Sequence, residues 1–264
     1  MHAKKYRKIG IIAIWTLLIP SVGVVLGFAS ASRNKMVCKG IECSVETSEN
    51  SSFITEKEIL TVVTSTSNKV EGRRLGDINF RSIESRITRN PWIAEASVFP
   101  TLNGKLNIKA RPREAVLRIV NKWGEQFYID RTGVMFPTRA GHPARVMVAS
   151  GNITTRYIKN LNINTLSDSI QKKSLLSSVV YLNKILSSDK LLSAMMGQIF
   201  VNNTGDLELI PITGNHTVVL GDTSNLEQKL GKLIVFYDKI LKTKGWDQYK
   251  TINLKFANQI VCSK

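Results

Sequence analysis

WIAEASVFPTLNGKLNIKARP, residues 92–112, reads as two short strands around Asn103-Gly104. That dipeptide accepts positive φ at little cost and is a strong hairpin signal. Just upstream, Ile78, Phe80, Ile83 and Ile87 recur at helical spacing up to Asn90-Pro91. The proline ends that helix, because its ring clashes with a helical residue before it. Trp92 and Ile93 are expected to close the core between this helix and the sheet. Further upstream, SENSSFITEKEILTVV holds a second helix, with Thr55 as N-cap, Glu58 three residues on, and Ile59, Val62 and Val63 as an apolar stripe. A polar stretch from Thr64 to Gly76 separates the two helices. Before both, Ile41, Cys43 and Val45 alternate as in a strand. From 38 to 111 the order is therefore strand, helix, helix, strand, strand.

Arg111-Pro112-Arg113 breaks the pattern, and 112–264 reads as a second, β-rich domain. AVLRIV, QFYID, RTGVMFP and RVMVASG are short apolar runs separated by turns, with Asp130-Arg131-Thr132-Gly133 as one of the turns. Apolar residues at three-to-four spacing then predict a helix from Ser167 to Met196. GQIFVNN and DLELIPI follow around Thr204-Gly205, then HTVVLGD. A second helix runs from about Asn225 to Thr243 and stops at Gly245.

The last twenty residues are GWDQYKTINLKFANQIVCSK, 245–264. Ile252, Leu254, Phe256, Ile260 and Cys262 fall on one side of a period-two pattern, and Thr251, Asn253, Lys255 and Gln259 on the other. One half-buried closing strand is expected. It either completes the fold beside an earlier strand or lies at a sheet edge, where unpaired N–H and C=O groups can template another chain.

At the other end, MHAKKYRK precedes a stretch from Ile9 to Ser32 without a charged residue. As a helix it rises about 36 Å, enough for a hydrocarbon core of about 30 Å. Residues 9–32, with Ile9, Trp15, Pro20 and Phe28 along them, are expected to form a single transmembrane helix. Pro20 would kink it without abolishing it. Lys4, Lys5, Arg7 and Lys8 put the tail 1–8 in the cytoplasm and the bulk outside. Ala29-Ser30-Ala31 resembles a signal-peptide cleavage site, but the apolar stretch is longer than a signal core.

The chain has 264 residues, 43% of them apolar, and a formal net charge of +17. The 37 basic residues are scattered, with no basic arm and no zinc-finger pattern, so nucleic acid is not an expected partner. Cys38 and Cys43 have four residues between them, not the two of redox or zinc sites. A bridge between them and a role as apolar filler both remain open. No metal-binding spacing and no phosphate-binding glycine loop occurs. His216, Asp222 and Ser224 lie close in sequence, but no nucleophile elbow accompanies them. No catalytic residue, metal, cofactor or small-molecule substrate is assigned.

In this order the chain resembles the FtsQ/DivIB family of bacterial cell-division proteins, in the form found in Bacteroidetes-type bacteria. FITEKEIL and INFRSIESRITRNPWIAEASVFPTLNGKLNIKARPREAVLRI look like that family's POTRA domain and its exit. EQFYIDRTGVMFP looks like the signature just past it, and KLGKLIVFYDKILKTKGWDQYKTINLKFANQIVCSK like its terminal helix and strand. The resemblance implies an α+β fold, with a transmembrane helix, a POTRA domain at 38–111 and a β-domain with two or so helices at 112–264. It implies a non-enzymatic divisome scaffold of the inner membrane at the septum, with other divisome proteins meeting the POTRA domain. FtsB- and FtsL-like coiled-coil proteins would add a strand at the end of the β-domain and help control septal peptidoglycan synthesis. By that resemblance the partner-binding residues are Trp246, Tyr249, Thr251, Ile252, Asn253, Leu254, Lys255 and Phe256, with Ile252, Leu254 and Phe256 packed inward. Other branches of the family carry an acidic residue where this chain has Asn253, so only backbone pairing carries over there. The alternative is a POTRA component of protein transport or outer-membrane assembly. That would bring several POTRA repeats or a long barrel, and neither pattern is present.

Overall fold

A computed structural model describes residues 15–16, 18–21, 36–46, 53–64, 70–165, 175–257 and 259–264. The chain divides into two compact units, one of residues 1–46 and 54–111, the other of 47–53 and 112–264. The transmembrane expectation falls largely outside the described residues, Ile9 and Phe28 included. Trp15 and Pro20 are helical and exposed. Among the described residues no helix is long and apolar enough to cross a membrane.

The first unit follows the expected order. Strand β1 (Gly40–Val45) leads to helix α1 (Glu56–Thr64), helix α2 (Phe80–Thr88), then strands β2 (Ile93–Pro100) and β3 (Lys105–Pro112). Glu58 at the start of α1 accepts from the Thr55 N–H at 2.9 Å, the returning half of a capping box. Asn79 caps α2 by accepting from the Ser82 N–H at 3.0 Å. The three strands form a sheet in the order β1-β3-β2, with β1 parallel to β3. Gly104 takes φ +80° at the β2–β3 turn, as the sequence suggests. Ile59, Val63, Ile83, Ile87, Ile93, Leu106 and Ile108 fill the core; Trp92 stays partly exposed. Cys38 is buried and Cys43 half-buried, both as free thiols, so filling rather than bridging is their role here. Burial, and then Glu56, push the Cys43 thiol up to about 11.

In the second unit β4 (Ala115–Val120), β5 (Gln126–Asp130), β6 (Met135–Pro137) and β7 (Met147–Gly151) come first. Helices α3 (Leu175–Ser188) and α4 (Lys190–Met195) follow, then β8 (Met196–Val201), β9 (Leu207–Pro211) and β10 (Thr217–Gly221). Helix α5 (Leu226–Phe236) continues through a π-turn, Tyr237–Leu241, before β11 (Thr251–Asn253) and β12 (Val261–Ser263). The single helix expected from Ser167 to Met196 is instead two, because Asp189 accepts from the N–H groups of Leu191 and Leu192 and starts α4 afresh.

The strands make one sheet in the order β12-β11-β10-β9-β8-β7-β4-β5-β6. Leu117, Ile119, Phe127, Ile129, Ile199, Leu209, Val218, Leu220, Ile252 and Leu254 point to one face of it. There they meet Leu176, Val179, Leu182 and Leu186 of α3 and Leu226, Leu230 and Leu233 of α5. Each fully buried side chain of this kind contributes about 1.5–3 kcal/mol of transfer free energy. Tyr128 points to the other face, where Phe53 and Phe136 pack on it at 5.5 Å each.

Candidate functional site: the terminal sheet edge

The closing strand is where structure and sequence part. One long strand is expected over Thr251 to Cys262, and two short antiparallel ones are found. Asn253 ends β11 by accepting from the Lys255 N–H at 2.9 Å, a turn that competes with strand pairing. Lys232 of α5 then donates to the carbonyls of Phe256 (2.9 Å) and Ala257 (2.8 Å), fixing the chain as it leaves the sheet. Ile252 and Leu254 are fully buried as expected, but Phe256 is 47% exposed. Its inward placement is therefore corrected: it lies beyond the strand, where the alternation no longer has a pleat to act on. Lys255 also leaves the strand, ion-paired to Asp206 at 2.8 Å. Its stem covers Gly221, where a Cβ would come within 2.9 Å of Lys255 Cγ.

The edge itself is also elsewhere. β11 is paired on both sides, parallel to β10 and antiparallel to β12, so Thr251, Ile252 and Asn253 are interior to the sheet. β12 is the edge. Its outward groups follow from register. The Thr217 N–H donates to Lys250 O at 2.9 Å, and the Leu254 N–H to Val219 O at 2.8 Å. Ile252, between those two, turns its backbone groups toward β10. Alternation then turns Thr251 and Asn253 toward their partners Ser263 and Val261 in β12. Cys262, between Val261 and Ser263, directs its N–H and C=O away from the sheet. Its side chain is half-buried against the core, and burial pushes its thiol pKa up.

Behind the edge, a groove of about 460 Å³ runs between the α5–π-turn surface and Ile260. Val235, Phe236 and Ile240 form its floor, with Lys232 and Lys239 among the lining residues. Tyr249 packs on Phe236 with ring centroids 5.9 Å apart. Trp246 meets Tyr237 edge to face at 5.3 Å, so both expected aromatic anchors are partly buried in the core.

The π-turn places Tyr237 against a buried histidine at the start of β10, with His216 Nε2 and Tyr237 Oη 2.8 Å apart. Burial pushes His216 below its ordinary pKa, with the Trp246 backbone and Asp247 pulling the other way. Burial pushes the Tyr237 hydroxyl up. The neutral imidazole is the folded form, while the unfolded chain takes a proton near pH 6.5. Stability from this pair is therefore complete above about pH 6.5 and falls as the pH drops below it. Denaturant melts between pH 7.5 and 5 are expected to show that decline, and His216→Gln to flatten it. His216 Nε2 is thus bonded to Tyr237 and not to Asp222 or Ser224. Asp222, at the far end of β10, bonds Ser224 Oγ at 2.5 Å and Lys229 Nζ at 3.0 Å, and those two bonds bring it down to about 2. Among the described residues no three His, Cys, Asp or Glu side chains could hold a metal ion.

The described residues thus form a three-stranded, helix-backed unit and a nine-stranded sheet that ends on β12. Residues 114–263 match the family model described as FtsQ/DivIB, C-terminal related, and residues 36–111 match that of a POTRA-like domain. The first match covers more than half of the chain, which belongs to the FtsQ/DivIB family. The chain is similar to the cell division protein FtsQ of Rhodothermus marinus, 26% identical over 195 residues, which cover 72% of this chain and 67% of that protein.

Proposed function

We propose that this chain is a non-enzymatic, membrane-anchored scaffold of the division machinery. It takes a strand from an FtsB- or FtsL-type partner onto β12 and so helps control septal peptidoglycan synthesis. The uncharged stretch 9–32 serves as its anchor in the inner membrane, with the bulk outside the cytoplasm at the septum. Family membership supports the division role. The observation that carries the partner reading is the edge strand with the Cys262 backbone turned outward. Strand addition draws affinity from such main-chain groups and specificity from side-chain pockets beside them. The groove at Val235, Phe236 and Ile260 is such a pocket.

The test is Cys262→Pro. Proline removes only the outward N–H, and a sheet edge tolerates it on that side. The variant is expected to melt like the parent chain yet to lose at least tenfold in affinity for co-expressed FtsB/FtsL-type proteins. Cys262→Ala keeps the N–H and is expected to bind normally. Undiminished binding by a folded Cys262→Pro chain would overturn the reading.

A further inference from the structure

The β4–β5 turn, far in the sheet order from β12, carries an exposed tryptophan with two cations on it. Trp123 is 48% exposed. Lys122 Nζ lies 4.7 Å from its ring centroid and the Arg156 guanidinium carbon 4.1 Å from it. Among the described residues no carboxylate pairs with either cation. The nearby acid, Glu125, is engaged by Asn121 Nδ2 at 2.9 Å and the Tyr157 N–H at 3.2 Å.

The turn is built to be rigid. Buried Asn121 accepts from the N–H groups of Trp123 (3.1 Å) and Glu125 (3.0 Å) and donates to Thr155 O at 3.1 Å. The Lys122 N–H donates to Ile153 O at 3.0 Å, tying the turn to the segment that bears Arg156. Cation–π contact holds the two charged heads in place before any partner arrives, which lowers the entropic cost of binding.

We infer that this turn is a second docking site, specific for an acidic segment of a partner protein. Both cations sit on one indole, so they lie at most about 9 Å apart. Carboxylates two residues apart in an extended peptide are separated by about 7 Å and can meet both. Arginine and tryptophan are among the side chains enriched at protein-binding hot spots. A bilayer would instead need the indole free to enter the acyl boundary, and here its ring carries the cations. Ile158, two residues beyond Arg156 in the chain, is 54% exposed.

The experiment titrates the full chain in zwitterionic detergent with a fluorescein-labelled, end-capped peptide, Glu-Ser-Glu-Phe-Glu-Ser-Glu, read by anisotropy. Saturable binding is expected, weakened at least fivefold in Arg156→Gln and in Lys122→Gln, absent for the Gln-for-Glu peptide, and unchanged in Cys262→Pro. No saturation up to 1 mM, or equal affinity in Arg156→Gln, overturns the inference. Short-chain phosphatidylglycerol added as a competitor gives the other arm. If it displaces the peptide at lower concentration than unlabelled peptide does, the site is a lipid-headgroup site instead.

Discussion

Gly151→Ala is expected to prevent the second unit from folding. Gly151 ends β7 with φ +95°, a conformation that L side chains rarely adopt. It lies beside Val201 of β8, and an added Cβ would sit 2.1 Å from the Val201 carbonyl oxygen. That oxygen belongs to the backbone and accepts from the Asn152 N–H at 2.7 Å, so it cannot swing aside as a side chain would. Relief means parting β7 from β8 at the centre of the sheet. Positive φ alone costs on the order of 1–3 kcal/mol, and the backbone clash adds to that. Against a net stability of about 5–15 kcal/mol, the sum is enough to shift the chain toward aggregation on expression. Soluble yield and the heat of unfolding would report it. A variant that melts within 2 °C of the parent would mean that β7 and β8 do not pair as described.

Asp130→Asn is expected to cost about 3 kcal/mol, the range for stripping one partner from a buried pair. Asp130 is buried, and its Oδ2 meets Arg113 Nη1 at 2.6 Å. Its Oδ1 accepts from the Thr132 N–H, Thr132 Oγ and the Val134 N–H at 2.9, 2.7 and 2.9 Å. The turn after β5 and the start of β4 are thus held by one carboxylate. Asparagine keeps an oxygen for the turn but removes the carboxylate charge that Arg113 meets. Asp130→Ala removes the turn bonds too, at roughly 1 kcal/mol each. Urea midpoints should fall in the order parent, Asn, Ala. Equal midpoints for the Asn and Ala variants would mean that the turn bonds contribute nothing.

The local signals in the sequence reached a long way. Asn103-Gly104, Thr55 with Glu58, and the Asp130 turn each act through bonds made within a few residues, so the order of the first unit and the strand content of the second could be read directly. The break at Asp189 was also legible as an N-cap, but the apolar spacing continues across it and hid it. The end of the chain was misleading for a similar reason. Phe256 keeps the alternation of Ile252 and Leu254, while the groups that bend the chain away are Asn253, which is local, and Lys232, which comes from α5. The place of β11 between β10 and β12, and of β7 between β4 and β8, depends on long-range pairing that no periodicity records. The surface proposed for the partner is therefore Val261–Ser263 and the Ile260 groove rather than Trp246, Tyr249 and residues 251–256. Nothing in the sequence sets Trp123 apart, because a tryptophan in a short turn is indistinguishable from a packing residue until its exposure is known.

On the proposed function, a partner strand is received at β12. Amide hydrogen exchange, measured on the full chain alone and with the proposed FtsB/FtsL-type partners bound, tests it most directly. The Cys262 amide, directed outward from the free edge, is expected to exchange fast in the free protein and to slow at least a hundredfold in the complex. The amides of Thr251 and Asn253, already paired within the sheet, should change little. A bound complex in which the Cys262 amide exchanges as fast as in the free chain would contradict strand addition at this edge.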